Sequence, residues 1–260
     1  MHSPEKIGII AGNGDLPDQL AAAIAADGDH PVIVRLGEDF SVGQAGSIIN
    51  FFKAQNVGTL VMVGGLARPN WLNLKTDLKG LAIVLKVMFR CLGDDALLKV
   101  IRGELEREGF EILGVHHFMP DLLCPEGVLG KVVPNESQIE AIREGYKAAK
   151  DHGQADRGQS VIVCDGKVLA FEEKSGTNEL IRSVAGAHGQ KILVKVSKPQ
   201  QDRDFDLPTI GPATVDAAVA SGFHGIAVEA LSTLVPNRDD VIRACDVAGL
   251  FFVGMGEDDL

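Results

Sequence analysis

Residues 192–219 read ILVKVSKPQQDRDFDLPTIGPATVDAAV, a stretch with three different patterns in succession. Its apolar start, 192–196, predicts a buried strand, and its alanine- and valine-rich end, 213–219, predicts a helix. Pro199 and Pro208 fix their φ angles and lack N–H donors, so the part of the chain in between is predicted to be an irregular loop. A buried strand that passes through a loop into a helix is the repeating unit of an α/β fold.

The same strand-and-helix pattern continues on both sides of this stretch. Strand-like apolar runs occupy 6–12, 31–34, 59–63 and 110–115 towards the N-terminus, and 225–229 and 250–253 towards the C-terminus. Helix-like segments separate most of these runs. Alternation of this kind predicts parallel strands that are joined by right-handed helical crossovers.

Two further segments divide the chain. Residues 160–171 contain two strand-like runs around the Asp-Gly dipeptide at 165–166, which is typical of the type I′ turn of a β-hairpin. Residues 118–135 contain prolines and lack a periodic apolar pattern, so we place a domain boundary there. The sequence therefore predicts an α/β protein with a Rossmann-like parallel-sheet domain, 1–130, and a second α/β domain, 131–260, that carries the hairpin and the acidic loop.

Composition and charge narrow the classes of function. The chain has 260 residues, of which 45% are hydrophobic, and a formal net charge of −11. Such an acidic chain is not expected to bind nucleic acid, because phosphate contacts need clustered lysine and arginine. Its start lacks the basic and apolar regions of a signal peptide, and its most apolar window, 81–89, is too short to span a bilayer. We therefore expect a cytoplasmic location.

The cysteines and histidines show no recognisable metal-binding pattern. The four cysteines lack the spacing of metal ligands, and three lie in apolar or helical patterns, where buried free thiols are expected. His116 and His117 are adjacent, but no third ligand stands at a recognisable spacing. We interpret this pair as structural.

The irregular loop concentrates carboxylates at alternate positions, Asp202, Asp204 and Asp206. If the loop is extended, side chains two residues apart share a face, so the three carboxylates could converge on Mg²⁺. Glu172 or Glu173, at the end of the hairpin, could supply another oxygen. Such a group suits metal-assisted attack of water on a phosphorus centre. A solvated acidic loop is the plain alternative.

Glycine-rich turns follow the first and third predicted strands. Backbone N–H groups at such a turn, next to a helix N-terminus, favour a bound anion. Both turns would lie at the carboxyl edge of the parallel sheet, where ligands collect, and an arginine there could hold a phosphate. The residues that we predict to line this cleft are Gly12, Gly14, Asp15, Gly65 and Arg68.

A nicotinamide-dependent oxidoreductase is the alternative that these glycines raise. Pro17 occupies the place of the third glycine in the GxGxxG fingerprint, and the second strand ends at Arg35 rather than at an acidic residue for the ribose. Both differences disfavour a dinucleotide site. A loop that binds phosphate or a sugar fits the sequence better.

Several motifs, spread over nearly the whole chain, carry a resemblance when they are taken together. They are the glycine-rich turn that ends in Leu16-Pro17, then 65–69, GDDALL at 93–98, GQ at 158–159, GT at 176–177, KPxQ at 198–201 and DLPTIG at 206–211. In this combination the chain resembles the LpxI family, the Mg²⁺-dependent UDP-2,3-diacylglucosamine pyrophosphatases of lipid A synthesis.

The resemblance implies both an activity and a site. It implies hydrolysis of UDP-2,3-diacylglucosamine to 2,3-diacylglucosamine 1-phosphate (lipid X) and UMP, by water attacking the β-phosphorus of a substrate held between two α/β domains. The essential aspartate of the family falls on Asp206, with Asp202 as a supporting catalytic carboxylate. Mg²⁺ is implied at Asp206, Asn178 and Glu172. Further substrate contacts are implied at Asp94, Gly176, Thr177, Lys198, Gln201 and Thr209.

Three positions depart from the family pattern. Ser175 and Asn178 stand where the family commonly has Glu and Asp, and Leu231 stands where it has glycine. The loss of two carboxylates leaves a second hypothesis open, a non-catalytic homologue that binds a sugar nucleotide or a lipid. The partners expected from the resemblance are UDP-2,3-diacylglucosamine and lipid X, with peripheral contact at the inner membrane and a homo-oligomer as further expectations.

Overall fold

The computed structural model of the protein describes residues 5–65, 75–81 and 94–256, with only the backbone for 94–97. Within these ranges, no helix combines the length and the apolar character that crossing a bilayer would need. The described residues form two compact units. One comprises the chain up to Pro120 together with Asp202–Asp206, and the other comprises the remainder.

The first unit is built on a parallel sheet with the strand order β2-β1-β3-β4. The parallel strands confirm the Rossmann-like architecture predicted from the alternating pattern. Its elements are β1 (Lys6–Ala11), α1 (Leu16–Ala26), β2 (His30–Arg35), α2 (Ala45–Ala54), β3 (Thr59–Val63), α3 (Asp94–Arg107) and β4 (Glu111–Ile112).

Close packing of α2 on the sheet depends on a glycine inside β1. A Cβ atom at Gly8 would lie 2.4 Å from the side chain of Leu60 and 2.8 Å from the ring of Phe52, both of which are fully buried. Only glycine leaves room for these two side chains at that distance. Phe205, from the short segment 202–206, packs against the same apolar core, which explains why this segment belongs to the first unit.

The fourth strand of the first unit is shorter than the apolar run 110–115 predicts. Only Glu111 and Ile112 pair with β3, and a 3-10 turn, Val115–His117, begins shortly afterwards. The apolar pattern was therefore right about burial but wrong about length, because Val115 is buried in a turn rather than in a strand.

The second unit contains a mixed sheet with the order β5-β10-β9-β8-β6-β7. The strands β8, β9 and β10 run parallel to one another, whereas β5, β6 and β7 pair antiparallel with their neighbours. Its elements are β5 (Gly127–Val128), α4 (Glu136–Gln154), β6 (Ser160–Cys164), β7 (Lys167–Phe171), α5 (Thr177–Ser183), β8 (Lys191–Lys195), α6 (Pro212–Ala220), β9 (Phe223–Glu229), α7 (Arg238–Ala248) and β10 (Phe251–Met255).

The predicted hairpin is confirmed. Strands β6 and β7 pair antiparallel, and the turn between them places Asp165 at φ 48° and Gly166 at φ 76°. Two successive positive φ angles are the signature of a type I′ turn, for which Asp-Gly is a preferred sequence.

The sheet of the second unit separates two apolar layers. Along β6, Val161 and Val163 face the cluster that contains α4, whereas Ile162 faces the cluster that contains α5, α6 and α7. Along β8, Val194 and Leu193 are divided in the same way. This alternation follows from the two-residue period of a strand, and burial of both faces explains why these strands are almost wholly apolar.

Candidate functional site

The glycine turns of the first unit meet at the carboxyl ends of β1 and β3. The N–H of Gly12 donates to the carbonyl of Val63 at 2.8 Å, and Asn13 and Gly65 exchange two backbone hydrogen bonds of 2.8 and 2.9 Å. Because β2 and β3 flank β1 on opposite sides, this edge is a topological switch point, where ligands of α/β sheets bind. The structure therefore brings Gly12 and Gly65 together at the predicted edge.

These contacts change the expected role of the glycine turns. The N–H groups of Gly12, Asn13 and Gly65 already have backbone acceptors, so these three do not contribute to the predicted anion site. Gly14 takes φ 101°, which glycine adopts without strain. Asp15 occupies the N-cap position of α1, but its side chain makes no capping hydrogen bond within the described chain.

Replacing Gly12 by alanine should weaken the first unit. The new Cβ would lie 2.6 Å from the carbonyl oxygen of Gly65 and 2.8 Å from the carbonyl carbon of Gly64, which are backbone atoms that cannot rotate away. We expect a loss of about 1–3 kcal/mol in the free energy of unfolding, measured with urea. Gly58→Ala is the matched control, because no described atom lies within 4 Å of its Cβ position. Equal stabilities for the two variants would contradict this account.

Two predicted contacts fall where the structure gives no side chain. Arg68 lies outside the described residues. Asp94 is the first residue of α3, and only its backbone is described. Both stay predictions.

The acidic segment 202–206 is a turn rather than an extended strand. The backbone N–H groups of Phe205 and Asp206 both donate to the carbonyl of Asp202, at 3.2 and 2.9 Å, and the N–H of Asp204 donates to the Asp202 carboxylate at 3.1 Å. The expectation of an extended loop is therefore wrong. An aspartate side chain that binds the N–H two residues on is a common way to close such a turn.

The carboxylates of Asp202 and Asp204 differ in their nearest partners. Both oxygens of Asp202 accept hydrogen bonds from Arg102 of α3. Hydrogen bonds from Arg102 to Glu106 and to Asp202 raise the pKa of the guanidinium further above its usual value. Asp204 instead faces the 3-10 turn at 115–117. Asp206 is half-buried like the other two aspartates, and it differs from them in lying at the end of the turn.

A group of side chains that the sequence did not reveal surrounds Asp204. Its Oδ1 atom lies 2.9 Å from Nε2 of His117 and 3.9 Å from Nε2 of His116, and the N–H of Gly114 donates to the same oxygen at 3.2 Å. Burial, followed by the neighbouring charge of His117, lowers the pKa of His116. The interpretation of the two histidines as an isolated structural pair is thus incomplete, because the third member is distant in sequence.

In the second unit, Glu172 and Thr177 belong to a buried polar network. Glu172 and Lys195 are each 6% exposed. Thr177 Oγ1 donates to Glu172 Oε1 at 2.7 Å and accepts from Lys195 Nζ at 2.9 Å, while Ser160 Oγ lies 3.3 Å away. The other oxygen of Glu172 accepts from the N–H of Gln159 at 2.9 Å. The threonine hydroxyl therefore links an acidic and a basic side chain in the interior.

This network bears on whether the predicted oxygens fit Mg²⁺. Both oxygens of Glu172 already accept hydrogen bonds within the second unit, and Asn178 Oδ1 accepts from Thr214 Oγ1 at 3.1 Å. These contacts hold both side chains in the fold of the second unit, and Glu172 is also buried, so the assignment of Mg²⁺ to these two residues stays a prediction. Asp206 fits by chemistry, because Mg²⁺ is commonly held by one or two carboxylates plus substrate phosphates.

The remaining predicted contacts lie on the surface loops of the second unit. Lys198 forms an ion pair with Asp156 at 2.9 Å, and its backbone N–H donates to the side chain of Gln201 at 3.0 Å. Thr209 is exposed and forms an isolated bridge with Leu234. Gly176 precedes α5 at φ 87°.

A second cluster that the sequence did not indicate anchors the start of the acidic loop. Glu229, at the end of β9, accepts hydrogen bonds from the N–H and the hydroxyl of Ser197 at 2.7 and 2.8 Å. The same carboxylate pairs with Lys150 of α4 at 2.7 Å. Ser197 lies two residues after the end of β8, so this contact fixes where the chain leaves the sheet.

The described cysteines offer no activated thiol. Cys124 and Cys245 are buried and free, as expected for two of the cysteines, and burial raises the pKa of Cys124 to about 12 and that of Cys245 to about 11. Burial also raises the pKa of Cys164. These thiols stay protonated at neutral pH, which disfavours nucleophilic catalysis by any of the three.

Comparison with known proteins identifies the family. A model of the LpxI N-terminal domain matches residues 6–122, and a model of the LpxI C-terminal domain matches residues 125–253. The chain belongs to the LpxI family. It is also similar to the UDP-2,3-diacylglucosamine pyrophosphatase LpxI of Caulobacter vibrioides, at 36% identity over 272 aligned residues that cover 96% of this chain and 97% of that protein. The resemblance noted in the sequence motifs is thus confirmed.

Leu231 occupies a backbone conformation that accounts for glycine at this position in the LpxI pattern. Its φ angle is 54°, and its side chain is exposed. A leucine in this left-handed region costs about 1–2 kcal/mol relative to a right-handed conformation, whereas glycine adopts it readily. Leucine in place of the family's glycine therefore costs backbone conformational energy at an exposed position.

Proposed function

We propose that this protein hydrolyses the pyrophosphate bond of UDP-2,3-diacylglucosamine and releases lipid X and UMP. The observation that supports this most strongly is the end-to-end match to a relative that carries that name, with both LpxI domains matched in order. The free thiols of the described chain favour direct attack by water over a cysteine nucleophile.

Asp206 is the residue to which we assign the central role. Its backbone N–H is held by Asp202, and Asp202 is held in turn by Arg102, so the turn presents the Asp206 carboxylate from a fixed backbone. We assign it to Mg²⁺ binding or to orienting the attacking water. Asp202 acts as a supporting carboxylate through the turn. When bound, Mg²⁺ would polarise the phosphoryl oxygens and lower the pKa of the attacking water.

One bond to phosphorus forms and one breaks in this hydrolysis. A water oxygen forms a bond to one phosphorus atom, and the bond from that phosphorus to the bridging oxygen breaks. If the β-phosphorus is attacked, the bridging oxygen leaves with UMP and the water oxygen remains in lipid X. Asp206 would accept or orient the proton of the water that is lost in this step.

Substrate recognition is assigned to the loops that the sequence motifs mark. The turn at 12–15 and Gly65 lie at the switch point of the first unit, where a phosphate or sugar would enter, and Arg68 is assigned to the same site from the sequence alone. The other residues that we assign to the substrate are Asp94, Gly176, Thr177, Lys198, Gln201 and Thr209. Of these, Thr177 is buried, and its hydroxyl accepts a hydrogen bond from Lys195. We therefore assign it an indirect contribution, through the buried network that it holds together.

The setting that we propose is the cytoplasm, with peripheral contact at the inner membrane where a diacylated substrate would be met. The unpaired cysteines in the described chain are in keeping with a reducing compartment. We further propose a homo-oligomer and no nucleic-acid partner, the latter in view of the net charge of −11.

The activity can be tested with purified protein, UDP-2,3-diacylglucosamine and Mg²⁺, followed by phosphorus NMR. We expect UMP and lipid X in equal amounts, and loss of turnover when the metal is removed with a chelator. Binding of substrate without turnover would support the non-catalytic homologue instead, and the absence of both would contradict the proposal. In ¹⁸O-water, label in lipid X would indicate attack at the β-phosphorus, and label in UMP attack at the α-phosphorus.

A further inference from the structure

The first unit brings two imidazoles and one carboxylate to a single point. His116 and His117 end the 3-10 turn that follows β4, and Asp204 lies in the middle of the turn at 202–206. One potential ligand atom from each of the three lies within 4.8 Å of the other two. The imidazole rings are tilted, with their centroids 4.4 Å apart.

The distances suit a metal ion with nitrogen and oxygen ligands. Bonds of about 2.0–2.2 Å from a metal to imidazole and carboxylate donors place neighbouring donors about 3.0–3.5 Å apart. Asp204 Oδ1 lies 2.9 Å from His117 Nε2 and 3.9 Å from His116 Nε2. All three donors lie within 4.8 Å of one another, so side-chain shifts of about 1 Å would bring them to the separations of a metal shell.

The environment of His116 gives an independent observation. Its side chain is only 14% exposed, and its Nδ1 atom is buried without a hydrogen-bond partner in the described chain. Its Nε2 atom is 3.9 Å from the nearest carboxylate, which is too long for a hydrogen bond. Enclosed polar side chains normally have partners, and this ring has none on Nδ1 within the described residues, while its Nε2, the atom that faces Asp204, is open to an ion.

The carboxylate is held as a metal ligand requires. Gly114 donates its N–H to Asp204 Oδ1, the oxygen that faces the histidines. The second oxygen, Oδ2, lies 3.6 Å from Nη1 of Arg102. Outer contacts of this kind fix the orientation of ligating carboxylates. A Cβ atom at Gly114 would lie 2.6 Å from the His116 ring, so the close approach of this backbone also depends on glycine.

We propose that His116, His117 and Asp204 bind a divalent transition-metal ion of the Zn²⁺, Co²⁺ and Ni²⁺ class. Two imidazoles and one carboxylate suit these ions, whereas Mg²⁺ prefers oxygen ligands alone. The site is therefore separate from a Mg²⁺ ion at Asp206. The bound ion joins the turn at 115–117 to the turn at 202–206, and so fixes the backbone two residues before Asp206. This inference does not depend on the proposed hydrolysis.

The test uses the full chain, freed of metal with a chelator, and the metal alone as the probe. Titration with Co²⁺ followed by visible absorption reports the coordination, and calorimetry with Zn²⁺ gives stoichiometry and affinity. We expect one ion per chain. His117→Gln and Asp204→Asn should each weaken binding at least about tenfold, since changes even to outer-shell partners cost 10–100-fold. Zn²⁺ should also raise the midpoint of thermal unfolding of the wild type but not of these variants.

The controls separate this site from binding elsewhere. His224→Gln removes an exposed histidine of the second unit and should leave affinity unchanged. The side chain of His117 is 46% exposed, so its glutamine variant should fold, which circular dichroism can verify. Unchanged affinity in both His117→Gln and Asp204→Asn would overturn the proposal. So would the absence of binding in the wild type, or a thiolate-to-cobalt absorption band that reports cysteine ligands.

Discussion

Replacing Asp206 by asparagine should reduce the hydrolysis of UDP-2,3-diacylglucosamine by about 10²–10⁴-fold, the range associated with loss of a positioned acid–base group. Asparagine keeps the shape of the side chain and one oxygen, but it removes the negative charge that Mg²⁺ or the water proton requires. The turn itself should persist, because Asp206 joins it through its backbone N–H. The measurement is kcat and KM from release of UMP, at several Mg²⁺ concentrations.

Asp202→Asn is the matched comparison in the same turn. Asp202 already uses both carboxylate oxygens on Arg102 and one of them on the N–H of Asp204. Asparagine at this position weakens the charge-assisted hydrogen bonds from Arg102. The loss is about 1–1.5 kcal/mol, which corresponds to a rate of hydrolysis roughly tenfold lower. We therefore expect Asp206→Asn to be much more damaging than Asp202→Asn. The reverse order, in variants of equal stability, would transfer the central role to Asp202.

The response to metal separates two roles of Asp206. If the carboxylate binds Mg²⁺, the asparagine variant should need more Mg²⁺ to reach half of its maximal rate. If the carboxylate orients water instead, the Mg²⁺ dependence should stay the same and kcat alone should fall. An unaltered rate would remove Asp206 from the site and, with it, the assignment of this turn to the reaction.

Elements that depend mainly on neighbouring residues, such as tight turns and buried strands, could be predicted from the sequence. The Asp-Gly turn at 165–166 has positive φ angles that few other dipeptides accept, so its hairpin could be recognised from two residues. The apolar run 59–63 gave the bounds of β3 directly, because a strand buried on both faces has little choice of composition. The family, too, could be recognised from short motifs, because several of them occur in order along the chain.

Long-range contacts explain what sequence reasoning missed. Asp204 and His117 are 87 residues apart, so no spacing rule could connect them. Phe205 is a second case, because the acidic residues around it give no indication that it packs against the apolar core of the first unit. The sequence also treated three alternate aspartates as equivalent, whereas the turn gives Asp202 to Arg102 and Asp204 to the histidines. Alternate positions share a face only in an extended chain.

Replacing Glu172 by glutamine should destabilise the second unit by about 1–3 kcal/mol, the cost of leaving a buried hydrogen-bond donor without its acceptor. The carboxylate accepts from Thr177 Oγ1 and from the N–H of Gln159, and glutamine offers a single acceptor oxygen for these two donors. Lys195, 6% exposed, would also lose the nearby negative charge that its ammonium reaches through Thr177. Unfolding in urea, followed by circular dichroism, measures the change.

Glu173→Gln is the matched control, because the same substitution is made one residue further along at an exposed position. Surface changes of this kind alter stability by about 0.5 kcal/mol or less. Adding Lys195→Met to the Glu172→Gln variant should recover part of the lost stability, since both side chains bond the hydroxyl of Thr177 and methionine takes a buried ammonium out of the interior. No recovery would indicate that the two side chains are not coupled.

The same variant decides between two roles of Glu172. A metal ligand would leave stability nearly unchanged on conversion to glutamine and would raise the Mg²⁺ concentration needed for turnover. A structural carboxylate would lower stability and leave the Mg²⁺ dependence as it was. The deep burial of Glu172 and the use of both oxygens within the buried network favour the second outcome, because a ligand must keep an oxygen directed at the ion. In that case Mg²⁺ would be held mainly by Asp206 and the substrate phosphates, and the missing acids at Ser175 and Asn178 would matter little to its binding.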